Sequence, residues 1–330
     1  MEDFKGKLAV ITGTGTGMGR ELALQLVTEG CSVAMCDVLM DNLAETEKMC
    51  KEAAAEGVVV SAHECDVSEE DQMIAFRDAV KKEHNTDRIN LLFNNAGAGG
   101  GGSFLLDDRA DWDKIFAICW GGVYYGTRAF MPMLLNSTEG YIVNISSLNG
   151  FWACLGPTGP HTAYSSAKFA VKGFSEALRV DLRLNAPHVK VSVVMPGHIG
   201  TSISLNANRI LGKPEPADWK EEELKIVREN MDRRGIPVQD ITDDQLKTLV
   251  QQGREDFRDN APCSAAEAAT IILDGVRNEQ WRILIGDDAV ALDRLVREYP
   301  EEAYEASFME KVAEISDWTL TPPGSASDSE

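Results

Sequence analysis

Lys7-Leu-Ala-Val-Ile-Thr-Gly-Thr-Gly-Thr-Gly-Met-Gly-Arg-Glu-Leu-Ala-Leu-Gln-Leu26 decides how the rest of the chain is read. An apolar run at Lys7–Thr12 breaks into Thr12-Gly-Thr-Gly-Thr-Gly-Met-Gly19, and an amphipathic stretch follows at once. A strand, a glycine turn and a helix in direct succession form the first half of a βαβ unit. Glycines let the backbone turn sharply and approach a diphosphate, whose charge is stabilised by amides at the helix N-terminus. The spacing is T-G-x-x-x-G-x-G on Gly13, Gly17 and Gly19, with Gly15, Thr16 and Met18 between them.

Asp37 ends the second apolar run, twenty residues after Gly17. A carboxylate there can accept hydrogen bonds from an adenosine ribose and repels a 2′-phosphate. Residues 14 to 16 carry no Lys or Arg to offset that repulsion. Both features favour NAD over NADP.

Outward from the turn, apolar runs recur at Ser32–Asp37, Val58–Cys65, Asn90–Asn94, Tyr141–Ser146 and Lys190–Met195, with a seventh at Trp281–Ile285. Helical periodicity occupies about 18–29, 41–56, 69–83, 111–135 and 163–185. This alternation predicts an α/β fold, a Rossmann-like doubly wound parallel sheet of about seven strands with helices on both faces. Residues 201–262 break the rhythm, with helical patterns at Trp219–Arg234 and Asp243–Asp256, and read as a lid insertion. Ser264-Ala-Ala-Glu267 fits a capping box that opens the next helix. One domain over 1–330 is expected, with a core at 5–200 and 264–286, an extension at 287–330 and a disordered tail at 319–330.

Composition narrows the function. The formal net charge is −21, which argues against a nucleic-acid partner and against an anionic membrane surface. No apolar run reaches the roughly 20 residues needed to span a bilayer. Seven cysteines without a CxxC pair, and no secretory leader, point to a reducing cytoplasmic compartment. The five histidines show no metal-ligand spacing, so no metal is assigned.

Three further motifs follow the glycine turn in order: Asn94-Asn-Ala-Gly97, Tyr164-Ser-Ser-Ala-Lys168 and Pro196-Gly197. Together the four resemble the short-chain dehydrogenase/reductase family in its single-domain form, over about residues 5–201 with the helix–strand pair at 264–286. The resemblance implies an NAD-dependent oxidoreductase that interconverts a secondary alcohol and a ketone. It implies Ser147, Tyr164 and Lys168 as catalytic residues, with Tyr164 and Lys168 also touching the cofactor. Asp66, Val67, Asn94, Ala96, Gly97, Pro196, Gly197, Ile199 and Thr201 become cofactor contacts. Ser147, Asn149, Trp152, Tyr164 and His198 are expected to face the substrate.

The residue types suit that chemistry. Tyr164 and Lys168, at i and i+4 on a helix, share one face. A phenol near pKa 10 is a poor base at neutral pH, and a neighbouring ammonium favours the phenolate. Ser147 would hydrogen-bond the substrate oxygen. Phe151, Trp152 and Leu155 would supply an apolar wall, so that the expected partner is a bulky hydrophobic alcohol or ketone. Family members are often homotetramers or homodimers, and the helices near 111–135 and 163–185 are the expected contacts.

Two departures stand out. Cys119 occupies the place where the family commonly has an asparagine that holds a proton-relay water, and a thiol is a weak donor and acceptor. A relay rebuilt from main-chain carbonyls and water, an impaired or narrowly tuned enzyme, and a mutated or redox-sensitive site remain open. Tyr164 follows Ser147 by seventeen residues, longer than the family's usual interval, and Gly156-Pro-Thr-Gly-Pro-His161 is expected to absorb the excess beside the substrate mouth. A catalytically silent NAD-binding protein is the alternative function. An epimerase or dehydratase fits less well, because its glycine turn is spaced differently.

Overall fold

The computed structural model describes every residue except 101, 157, 158 and 316–330. β1 (Leu8–Thr12) is buried along its whole length. Ala9 and Ile11 face one hydrophobic core while Leu8 and Val10 face a second. A strand apolar on both sides must lie inside a sheet covered on both faces. The chain continues through α1 (Gly17–Thr28), β2 (Ser32–Asp37), α2 (Met40–Ala53), β3 (Val60–Glu64), α3 (Glu70–Glu83) and β4 (Leu91–Asn94). It then runs through α4 (Arg109–Phe116), α5 (Gly122–Leu135), β5 (Gly140–Ile145), α6 (Thr162–Asn185) and β6 (Val189–Pro196).

Beyond β6 come β7 (Ile199–Gly200), α7 (Ile203–Leu211), α8 (Glu221–Arg233), α9 (Asp243–Asp259), β8 (Cys263–Ser264) and α10 (Ala265–Arg277). β9 (Arg282–Ile285), α11 (Asp287–Glu298) and α12 (Ala306–Ile315) complete the described chain. The main sheet has seven parallel strands in the order β3-β2-β1-β4-β5-β6-β9. All seven lie where the apolar runs place them. Strand order reverses between β1 and β4, and the crevice beyond their carboxyl ends is where this architecture binds ligands.

One expected helix is divided. Periodicity predicts continuity over 111–135, but α4 and α5 are joined by a π-helical turn at Ala117–Gly121. Gly121 and Gly122 impose no side-chain cost on the wider turn, and such turns often mark functional sites. Cys119 sits in its middle.

Residues 201–262 form α7, α8 and α9, with a small core of Trp219, Leu224, Val238 and Leu246. The excursion is tied at its two ends by pairing of Ile199 with Cys263 and Gly200 with Ser264. The expected capping box starts α10: Ser264 Oγ accepts from the Glu267 amide (3.2 Å), and Glu267 accepts from the Ser264 amide (2.9 Å). The extension folds back through α11 and α12, packing Leu292, Leu295 and Phe308 against Trp152, Val193 and Met195. The expected disordered tail lies outside the described residues, as do Pro157 and Thr158 of the loop before α6. No helix among the described residues is long and apolar enough to cross a membrane.

Candidate active site

The glycine turn leaves the carboxyl end of β1 and enters α1 with Gly13 at φ +69° and Gly17 at φ +59°. A Cβ on Gly13 would stand 2.6 Å from the Ala96 Cα, and one on Gly19 would stand 2.1 Å from the Gly13 carbonyl oxygen. Neither position admits a side chain, so the turn keeps its backbone bare on the ligand side. Asn95 braces it, its Nδ2 donating to the carbonyls of Thr12 (2.9 Å) and Gly13 (3.0 Å).

A cleft of about 940 Å³ opens above the turn. Gly13, Gly15, Thr16, Gly17 and Met18 form one side, with Asp37, Ala96 and Gly97 beside them. Ser147, Tyr164, Lys168, Pro196, Gly197, Ile199 and Thr201 line the other end. A second hollow of about 700 Å³ shares Gly13, Asp37, Ala96 and Gly97 with the first and is bounded by Asp66, Val67 and Ile118. Together they make a trench with two halves, a bare amide turn at the join and an acid at the ribose position. That shape suits an extended dinucleotide.

Asp37 is organised by the backbone. Its Oδ2 accepts the Gly15 amide at 2.8 Å and its Oδ1 accepts the Leu39 amide at 2.9 Å. Burial nonetheless pushes its carboxyl above the ordinary value. Asp66 behaves oppositely: burial opposes its ionisation, but Lys114 (2.6 Å) and Ser68 (2.6 Å) outweigh it and hold the carboxyl low. The cations near the trench are already engaged, Lys114 with Asp66 and Arg209 with both oxygens of Asp41 at 2.9 Å.

At the inner end, Lys168 is buried and its Nζ donates to the Ile145 carbonyl (2.9 Å). The ammonium lies 5.3 Å from the centre of the Tyr164 ring. Burial pushes Lys168 down. Enclosure pushes the Tyr164 phenol up, nearby Cys119 adds to the rise, and a hydrogen bond with Ser147 opposes it. Burial thus works against the charged form of both groups. Ser147 Oγ also accepts the Asn149 amide (3.1 Å), which fixes its direction. Cys119 is fully enclosed, and its thiol points to the Ala98 carbonyl (3.5 Å). Gly97 lies beside both Lys168 Nζ and Cys119 Sγ.

Four sequence expectations need correction. Asn94 does not line the trench; its amide is spent inside the sheet on Thr127 (3.1 Å) and Asn144 (2.8 Å). Asn149 is buried and donates to the carbonyls of Trp152 and Cys154, both at 2.9 Å. Trp152 packs against Phe308 and donates to the Ala303 carbonyl (2.6 Å), so it belongs to the C-terminal core. His198 is buried with its ring on Phe257, 4.4 Å between centres, and Nε2 on the Phe257 carbonyl. The supposed apolar wall shares this fate, since Phe151 joins the same core as Trp152. Trp152 and Phe151 serve packing because the extension at α11 and α12 covers that side, whereas His198 is claimed by α9 and Asn94 by the sheet.

Other residues take part that sequence reading missed. Ile203, Asn206 and Ile210 reach the cleft from α7, and Phe257 reaches it from α9. Their i, i+3, i+7 spacing directly after Thr201 was the available signal. Asp288 is buried behind Pro196-Gly197, accepting the His198 amide (2.7 Å) and the Ala289 amide (2.8 Å). A Cβ on Gly197 would strike its Oδ1 at 2.0 Å. Among the described residues no group of three or more His, Cys, Asp or Glu is arranged to hold a metal.

Comparison with known proteins agrees with this geometry. The family model described as short chain dehydrogenase matches residues 7–210. A Mycobacterium tuberculosis protein described as an oxidoreductase, SadH, is 36% identical over 297 residues, 90% of this chain and 92% of the relative. A Burkholderia phymatum short chain dehydrogenase/reductase, crystallised with NAD, superposes with TM-score 0.72 at 28% identity, covering 91% of this chain and 96% of that one. A metagenomic short-chain oxidoreductase crystallised with NADP gives TM-score 0.52 at 32% identity, over 59% of this chain and 83% of that one.

Proposed function

The chain belongs to the short chain dehydrogenase family, and on that premise we propose that it uses NAD(H) to interconvert a secondary alcohol and a ketone. The observation that carries the reading is the meeting of Ser147, Tyr164 and Lys168 at the inner end of a trench shaped for a dinucleotide. Asp37 supports NAD over NADP, because no unpaired cation of the glycine turn stands ready for a 2′-phosphate. The family relatives include one solved with each cofactor, so the preference rests on this chain's own residues.

The bound nicotinamide would supply or accept the hydride. Gly13, Gly17 and Gly19 keep the turn open to the diphosphate, while Pro196, Gly197, Ile199 and Thr201 border the nicotinamide end. Ser147 holds the substrate oxygen by a hydrogen bond, and Tyr164 gives or takes the proton at its hydroxyl. The Lys168 ammonium, held by the Ile145 carbonyl, stabilises the phenolate from behind. With the Cys119 thiol directed to Ala98, the proton route past Lys168 is best served by main-chain carbonyls and water. The π-helical turn at Ala117–Gly121 favours this, since it loosens regular carbonyl pairing there.

Residues 201–262 act in this reading as a lid within one domain. Asn206 reaches Thr16 (3.3 Å) and Arg209 reaches Asp41, so α7 spans the trench. Ile203, Ile210 and Phe257 support an apolar body in the substrate. Tyr124, Phe169, Val180 and Leu184 are exposed on α5 and α6, which supports a homodimer or homotetramer through those helices.

The test is turnover of a panel of ketones with NADH. Tyr164→Phe should lower kcat by roughly 10²–10⁴ while leaving NADH binding intact. Tight NADH binding with no turnover across the panel, in wild type and variant alike, would favour a catalytically silent NAD-binding protein instead.

A further inference from the structure

His161 immediately precedes α6, and its ring lies against that of Tyr164, 4.9 Å between centres at a tilt of 34°. Its Nδ1 is sealed from solvent and has no hydrogen-bond partner among the described residues. Leaving a buried polar atom unpaired is costly, and a bound ligand that pairs with it removes that cost. Burial, aided by the nearby Arg234 charge, pushes the imidazole down to about 4. The ring is therefore neutral at ordinary pH, with one donor and one acceptor nitrogen.

Arg234 ends α8 and is exposed. The other arginines of 201–262 are committed: Arg209, Arg228, Arg233, Arg254 and Arg258 each pair with a carboxylate. Arg234 pairs with none among the described residues. Gly102 stands between the two segments, where a Cβ would lie 3.1 Å from the Pro160 carbonyl oxygen and 4.0 Å from Arg234 Nη2. A neutral imidazole against the Tyr164 ring and an uncommitted guanidinium thus belong to the two segments that meet at Gly102.

We propose that His161 and Arg234 form a second recognition point, selecting alcohols and ketones that carry an additional oxygen acceptor beyond the reacting carbon. The inference rests on the dehydrogenase reading and names the substrate feature that reading leaves open. A substrate substituent that extends along the Tyr164 ring would meet the imidazole, 4.9 Å away between ring centres. An extra carbonyl, hydroxyl or carboxylate pairs with the imidazole N–H, and only the carboxylate gains charge attraction from Arg234. A purely hydrocarbon substituent leaves both groups without partners, and sites of that kind reject such analogues strongly.

The experiment measures kcat and KM with NADH for three matched ketones: one plain, one with a second carbonyl and one with a carboxylate at the same position. Wild type should favour both oxygenated ketones by about tenfold in kcat/KM, mainly through KM, as one added hydrogen bond predicts. His161→Phe should bring the KM of the dicarbonyl ketone to that of the plain one and leave the carboxylate only the advantage that Arg234 gives it, and His161→Asn should restore part of the preference. Arg234→Met should remove only the advantage of the carboxylate. NADH titration reports whether each variant is folded. Equal KM values in wild type, or a preference for the second carbonyl that survives His161→Phe in a protein that binds NADH, overturn the inference alone. Absence of turnover for all three ketones and their alcohols overturns the dehydrogenase reading and this inference with it.

Discussion

Replacing Asp37 with Asn isolates the charge that sets cofactor choice. The side chain is held by two amides, Gly15 N–H on Oδ2 and Leu39 N–H on Oδ1. Asparagine keeps one oxygen, so one amide loses its partner, at about 1 kcal/mol of folding stability shared by both cofactor complexes. The gain for NADPH is larger. Two unit charges about 4 Å apart interact by about 4 kcal/mol near a protein surface, and a phosphate carries more than one charge. The trench opens to water, which reduces this to about 2–3 kcal/mol, roughly thirty- to a hundredfold. Fluorescence titration of both cofactors should therefore show the NADH:NADPH affinity ratio falling by roughly thirty- to a hundredfold in the variant. A ratio that moves less than threefold, or a wild type that binds NADPH more tightly, would refute the reasoning. The second result would implicate Arg209, which would have to leave Asp41 to meet the extra phosphate.

Gly19→Ala should abolish NADH binding and lower Tm, because overpacking against the Gly13 carbonyl costs about 1–3 kcal/mol. Gly253→Ala in α9, where a Cβ meets nothing within 4 Å, should instead stabilise by about 0.5–1 kcal/mol in thermal unfolding; the opposite order would discredit the turn geometry. Arg209→Ala removes a weak, solvent-accessible pair with Asp41, so NADH Kd should rise about two- to fivefold if α7 is a lid, and remain unchanged if it is not. In thiol titration the native protein should expose at most Cys154, since the other six are buried. It should react slowly because burial pushes its thiol up to about 11. Rapid modification of Cys119 would revive a redox role for that residue.

The glycine turn, the strands and the Tyr164/Lys168 pair were legible in the chain because they rest on local rules. A strand apolar on both faces reads as buried, a turn with no room for Cβ reads as glycine, and two residues four apart on a helix share a face. The same locality misled at Asn149, Trp152 and His198. Each follows a motif closely, yet Asn149 is spent on its own loop, while the C-terminal helices claim Trp152 and α9 claims His198 through contacts between residues far apart in sequence. Trp152 meets Ala303 and Phe308, a partnership that no pattern around residue 152 encodes. Asp288 is the converse case, invisible beside any motif until α11 brings it beneath Gly197. The break at Ala117–Gly121 has the same origin: 111–135 carries one helical period, and only packing against the sheet and α6 turns its middle into a wider turn. Local sequence was sufficient for what backbone geometry and side-chain periodicity impose. Long-range packing allotted each neighbouring side chain to the core or to the cleft, because burial depends on which distant surface arrives to cover it.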